Sequence, residues 1–305
     1  MKQFGIMVGL DKPESFEGWF CKIDDRVNDL MVSVILGYAT HRGTEHAFIQ
    51  FTSSLDHQTA YISYPIEQLA WERDPFVLKI GSNVFSEQGI HLDFDMAGIA
   101  VKGDLAFGPF EKIREYFMRP NIMGWLTHFP NECNHSIISM HHQVKGELMI
   151  GASCWEMEAA GGYIEKDWGN GFPREYVWVH ANNWEASSCV FSYATVPMLG
   201  RYAKGFFLML HHQGKEYRFS SIEGSHLIDF QVNGNSFTAI IQKGRYRVAL
   251  EAKQDHPVKL ASPVKGQMNA YIKESLDGMI HISMTDQGET VIDLSSQRAS
   301  IDVHF

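Results

Sequence analysis

Basic residues are in short supply in this chain of 305 residues: Lys and Arg number 26 against 36 Asp and Glu, a formal net charge of −10. Such a balance repels a nucleic-acid backbone unless the cations gather in a stripe. The sequence contains no such stripe, so nucleic acid is excluded as a partner. Long apolar runs are missing too. The longest, LMVSVILGYA from Leu30, is about half of what a bilayer crossing requires. No membrane span is expected, while contact with a membrane surface stays open. The opening residues MKQFGIMVGLDKPE lack the apolar stretch and small-residue site of a secretory signal, and a cytoplasmic location is expected. Cysteine is scarce: Cys21, Cys133, Cys154 and Cys189 are scattered without a CxxC pair. They read as reduced, buried packing residues, with neither a structural disulfide nor a zinc cluster.

Helix-period apolar patterns are scarce as well, whereas alternation with period two runs along most of the chain, which predicts an all-β protein. In RYRVALEAK from Arg245, residues Tyr246, Val248, Leu250 and Ala252 share one face and Arg247 and Glu251 the other, as a strand with one wet side requires. Asn233-Gly234, Lys243-Gly244 and Asp277-Gly278 each separate two alternating runs and predict tight hairpins. HAFIQFTSS from His46, TAYISYP from Thr59 and IHLDFDM from Ile90 read as further strands. The segment FEKIREYFM from Phe110 places Phe110, Ile113 and Phe117 at helical spacing, and Arg119-Pro120 closes it, so one short helix is expected there. A chain this long exceeds what one core usually serves. Two antiparallel β-domains of barrel or sandwich form are expected, residues 1–160 and 161–305. Small barrels of this kind commonly hold one apolar ligand.

The most unusual stretch, GGYIEKDWGNGFPREYVWVHANNW, begins at Gly161. In an extended chain Tyr163, Glu165 and Asp167 project to one side and Ile164, Lys166 and Trp168 to the other. Two carboxylates then share one space. Beside an apolar cavity, like charges raise at least one carboxyl pKa and leave a proton donor at neutral pH. After the turn, Tyr176, Trp178, His180 and Asn182 fall on one face of a second strand, and aromatic faces suit a developing cation. The plain reading stands beside this one, because alternate acids on a strand more often form a solvated face, aromatic stripes more often form core, and Lys166 has an acid within reach to neutralise. Arg174 is a candidate partner for an anionic ligand, and Trp125 for a cavity mouth. The pairs His141-His142 and His211-His212 point to opposite strand faces and do not chelate together, so no metal site is assigned.

The same stretch resembles the signature of the tocopherol cyclase-like family, a Glu-Lys-Asn/Asp-Trp-Gly core followed by Phe-Pro and an aromatic strand. FEGWFCKIDD from Phe16, MGWLTHFPNECNHSIISMHHQVKGEL from Met123 and ASPVKGQMNAYIKESLDG from Ala261 resemble its other segments, so the likeness spans nearly the whole chain. What it implies is two lipocalin-like β-barrel domains and cofactor-free acid chemistry: protonation of a prenyl double bond, with the cation captured by a phenol oxygen or by water. It also implies Tyr163 and Glu165 as acid positions, with an upstream histidine, His135, beside them. Asp167 and His180 stand where plant members carry Asn and Gln, which leaves the substrate open. The expected partner is an apolar or prenylated small molecule. The competing reading is a lipocalin-like carrier or sensor that transforms nothing. A hydrolase with flanking carboxylates ranks last, since acids two residues apart on one strand do not face a bond from opposite sides.

Overall fold

The computed structural model describes residues 3–117, 119–128, 131–198 and 201–305. Eleven strands form the first sheet: β1 (Ser15–Asp25), β2 (Leu30–Thr40), β3 (His46–Ser53), β4 (Gln58–Pro65), β5 (Leu69–Arg73), β6 (Phe76–Ile80), β7 (Asn83–Ser86), β8 (Gly89–Met96), β9 (Ile99–Phe107), β10 (Cys133–Ile150) and β11 (Ser153–Gly169). Their spatial order is β4-β3-β2-β1-β11-β10-β9-β8-β7-β6-β5. Two long hairpins, β1–β2 and β10–β11, therefore meet along the antiparallel β1–β11 ladder at the middle of the sheet. The second set is β12 (Glu175–Trp184), β13 (Ser187–Met198), β14 (Arg201–His212), β15 (Lys215–Ser220), β16 (His226–Asn233), β17 (Ser236–Lys243), β18 (Tyr246–Lys253), β19 (Val258–Val264), β20 (Gln267–Asp286) and β21 (Glu289–His304). Its order is β15-β14-β13-β12-β21-β20-β18-β17-β16, with β19 on β20. Short 3-10 turns at Leu55–His57, Ile66–Gln68 and Gly124–His128 are the helical pieces among the described residues.

Both sheets curl, and ring contacts show it. Phe51 on β3 and Phe94 on β8 are six strand spacings apart in the order, about 29 Å across a flat sheet. Their rings lie 5.6 Å apart. In the second sheet Phe191 on β13 and Phe237 on β17 are five spacings apart, about 24 Å if flat, yet stack at 5.8 Å. Each sheet is thus rolled around an apolar interior of its own, in the lipocalin-like barrel manner. Trp19, Cys21 and Ile23 of β1 point into the first core, and Val177, Val179 and Ala181 of β12 into the second. Residue contacts divide the chain into two units. One is Met1–Thr127, Cys133–Phe172 and Ala261–Ala270; the other is His128–Glu132, Pro173–Leu260 and Tyr271–Phe305. The chain thus passes between the units more than once, and the whole Gly161–Gly169 segment belongs to the first unit.

Three sequence expectations are corrected. The described residues of FEKIREYFM are not helical: Ile113 is buried, Phe117 is 91% exposed, and Glu111 forms an isolated antiparallel bridge with His141 of β10. Bulges after Ile137 and Ser139 interrupt the β10–β11 ladder, and Glu111 takes up the backbone groups they leave, with Glu111 N–H donating to His141 O at 2.9 Å and Met140 N–H to Glu111 O at 2.8 Å. Asp277-Gly278 is no hairpin either, but a bulged point inside β20 where two chains come close. A Cβ on Gly278 would lie 2.5 Å from Ile301 Cδ1 and 2.9 Å from Lys253 O. Finally, Cys21 and Cys189 are buried, and burial pushes both thiols up, Cys21 to about 12, but Cys154 is exposed and Cys133 half-buried.

Candidate functional site

Strand β11 is held between β1 and β10, and the two registers decide what surrounds its side chains. Glu165 lies opposite Phe20 on β1 and Ile137 on β10; Asp167 lies opposite Gly18 and His135; Tyr163 lies opposite Lys22. Directly paired residues share a sheet face. One patch therefore gathers Tyr163, Glu165, Asp167, His135 and the fully buried Lys22, flanked by the apolar side chains of Phe20 and Ile137. This face is turned away from the barrel interior, since Ile164 belongs to the core; Tyr163 and Glu165 on it are nevertheless buried, and His135 and Asp167 half-buried. Tyr163 is inaccessible and Glu165 only 6% exposed.

The polar atoms form a chain. Tyr163 O–H donates to Glu165 Oε2 at 2.5 Å, His135 Nε2 lies 3.4 Å from the same oxygen, and His135 Nδ1 is 2.9 Å from Asp167 Oδ1. The Cys133 thiol reaches Asp167 Oδ1 at 3.9 Å. Burial alone would drive the imidazole toward its neutral form. The charges of Glu165 and Asp167 and the hydrogen bond to Asp167 outweigh that penalty, and the His135 pKa is raised to about 9. The like-charge clash expected between the two carboxylates is thus relieved by an imidazolium lodged between them.

On the opposite face of β11 the Lys166 ammonium forms a fully buried ion pair with Glu17 and sits 4.4 Å above the Trp19 ring. Its pKa is lowered to about 8 by burial, which Glu17 partly offsets. Lys166 therefore serves Glu17 rather than Glu165 or Asp167.

In the second unit, β12 presents Tyr176, Trp178, His180 and Asn182 on the face opposite its core residues, all of them buried. Trp178 and His180 stack with ring centres 6.2 Å apart, and the Tyr176 hydroxyl donates to Asp302 Oδ2 at 3.3 Å. Arg174 is exposed, and Trp125, in the 3-10 turn Gly124–His128, is 42% exposed. Sequence reasoning missed Phe20 and Cys133 in the first cluster, and Asp302 with its cross-strand partner Glu274 in the second. The last pair left a signal: in ASIDVHF, Ser300, Asp302 and His304 alternate with core residues of β21, much as Tyr163, Glu165 and Asp167 do in β11.

His135, Glu165 and Asp167 bring their donor atoms within 4.8 Å of one another and have the donor types for a divalent cation. Each ring nitrogen already lies beside a carboxylate, however, so a protonated imidazole satisfies both acids without an ion. No such cluster was anticipated from the adjacent histidine pairs. His142 is instead a buried histidine, bonded to Ser139 Oγ at 2.9 Å, with its ring 4.9 Å from those of Phe107 and Phe110.

The site described above sits on a lipocalin-like all-β protein. Its fold is shared with a Nitrosomonas europaea protein described as an AttH (TM-score 0.57, 11% identity, covering 100% of this chain and 96% of that one). It is also shared with CghA (TM-score 0.59, 8% identity, 95% and 88%) and with kievitone hydratase from Nectria haematococca (TM-score 0.55, 9% identity, 97% and 91%). The tocopherol cyclase-like family profile matches residues 109–304, and the chain belongs to that family. It is 26% identical over 199 residues to the Oryza sativa subsp. japonica protein named "Probable tocopherol cyclase, chloroplastic", and 22% identical over 199 residues to the Zea mays "Tocopherol cyclase, chloroplastic". Each match covers 59% of this chain and 41% of the relative, so the chain spans about two fifths of the length of these curated relatives.

Proposed function

We propose that the chain catalyses acid-initiated cyclisation or hydration of an apolar, prenylated substrate, with Glu165 delivering the proton. The observation that supports this most is the buried line Tyr163–Glu165–His135–Asp167 flanked by Phe20 and Ile137. At neutral pH it carries one exchangeable proton more than two free carboxylates would, in a site of low dielectric where a positive charge on a substrate is steadied by the residual anion. The proton passes from His135 Nε2 to Glu165 Oε2, whose O–H bond breaks as a C–H bond forms at the double bond. The resulting tertiary cation is captured by the substrate's own phenol oxygen, or by water, and the proton shed in that capture returns to Glu165. Atoms and charge balance without any change of oxidation state. Tyr163 orients Glu165 through its hydroxyl, and Asp167 is a positioning residue that holds the imidazole. Tyr176, Trp178, His180 and Asn182 are proposed as an apolar binding surface of the second unit, taken by itself. Trp125 in the first unit and Arg174 in the second are proposed as further substrate-binding residues.

The test is turnover of a prenylated quinol in deuterated water. One solvent deuteron is expected on carbon in the product, and Glu165→Gln should lower turnover at least about 100-fold while the apolar probe still binds. A product free of deuterium, or an unchanged rate in the variant, removes Glu165 from the reaction and leaves the carrier reading.

A further inference from the structure

The mouth of the first barrel holds a set of buried charges that the acid chemistry does not use. Residues 3–14 form no strand, so the backbone groups of this opening segment lack ladder partners. Side chains of the barrel supply them. Both oxygens of the Glu17 carboxylate accept from the segment, from Met7 N–H at 2.7 Å and Val8 N–H at 3.0 Å. Gly9 N–H donates to the Tyr38 hydroxyl at 3.0 Å, and that hydroxyl donates to Glu17 Oε2 at 2.5 Å. Trp19 Nε1–H donates to Phe4 O at 2.8 Å. Lys166, paired with Glu17, donates to Gly5 O and, at 3.3 Å, to Gln3 O. Side chains of the segment also pack inward: the Phe4 ring lies 5.2 Å from those of Phe76 and Phe85, Ile6 packs against the same core, and Gln3 Oε1 accepts from Ser136 Oγ.

Backbone-directed hydrogen bonds along a segment of turns and bends, with a pocket for one aromatic side chain, are how a protein surface holds a docked peptide. We propose that the barrel mouth is a peptide-binding site whose occupant is the chain's own segment 3–9, docked as a separable strap. The inference goes beyond the proposed catalytic reading and does not depend on it. Glu17 and Lys166 are oppositely charged and pair with each other, so they have a partner whether the strap is in or out. The strap is also hinged. Gly9 has φ +79° with open space around its Cα, and residues 10–14 beyond it are exposed. Release of segment 3–9 would take Phe4 out of the core and uncover an apolar opening beside a buried ion pair.

Hydrogen exchange of the full chain, followed amide by amide by NMR, tests this. The Met7, Val8 and Gly9 amides are expected to exchange together, slower than an unstructured peptide but faster than Cys21 and Val34 in the barrel wall, which marks a local opening. Phe4→Ala should speed the three strap amides at least about 30-fold and leave the wall amides unchanged. Glu17→Gln should do the same with the ring in place. Strap amides that exchange at the wall's rate, or as fast as a free peptide, overturn the proposal. Wild-type rates decide the matter even if a variant does not fold.

Discussion

At the scale of single residues, two buried histidines carry opposite pH signatures. His135 binds its proton more tightly in the folded chain, with a pKa of about 9 against an ordinary 6.5, so its contribution is complete below pH 6.5 and is lost as pH rises to about 9. His142 is lowered to about 3 by burial, reinforced by neighbouring His141, so its folded form resists protonation and its effect is a loss of stability as pH falls from 6.5. Urea unfolding across this range should therefore show stability declining on both sides of near-neutral pH. The alkaline arm is worth up to about 3 kcal/mol. It should shrink in Asp167→Asn, which weakens the hold on His135, while the acid arm stays. An alkaline arm of unchanged size in that variant contradicts the pairing described. Period-two alternation was enough to put Tyr163, Glu165 and Asp167 on one side of a strand, because side-chain direction is a local property. Phe20 and the Lys166–Glu17 pair depend on β1 lying beside β11, a contact more than a hundred residues apart in sequence, and Ile137 depends on the bulged register of the β10–β11 hairpin.

At the scale of elements, β11 is packed more tightly than the pair Gly161-Gly162 suggests in isolation. A Cβ on Gly162 would fall 2.2 Å from His142 Nε2 and 2.6 Å from two further ring atoms, and the flanking phenylalanines leave that ring nowhere to go. Gly162→Ala should cost about 2 kcal/mol or more in chemical unfolding, and adding His142→Ala should recover much of it, since the clash and its partner vanish together. Additive losses in the double variant would show that the glycine is needed for another reason. Strands were the legible part of the sequence: β3, β4, β8 and β18 lie where alternation put them, and Asn233-Gly234 turns between β16 and β17. The failures share one cause. FEKIREYFM and Asp277-Gly278 carry strong local signals, for a helix and a hairpin, that were overridden by neighbouring strands: the bulged backbone of β10 in one case, Ile301 and Lys253 in the other.

At the scale of the whole molecule, the two cores share no residue, and each unit carries one inert thiol in its centre, Cys21 in the first and Cys189 in the second. Native-state alkylation read by mass spectrometry should label Cys154 first and Cys133 more slowly, sparing Cys21 and Cys189 until denaturant is added. Labelling of Cys21 or Cys189 as fast as Cys154 would count against the cores described here. Among the described residues no helix is long and apolar enough to cross a membrane. The all-β class and the net charge of −10 were legible from composition and periodicity, which average over the chain. The repeated passage between the units was not, because β19 and β20 return to the first unit over Ala261–Ala270 and no linear reading shows a chain doubling back.

Because Glu165 and Lys166 are adjacent on β11 yet belong to different faces, the strand behaves like a two-sided key. A single-residue insertion or deletion between Ala160 and Glu165 would turn both sides over at once, setting an ammonium among the acids and a carboxylate against Glu17. Length in this stretch is consequently as constrained as residue identity, and natural variation there is expected to proceed by substitution alone.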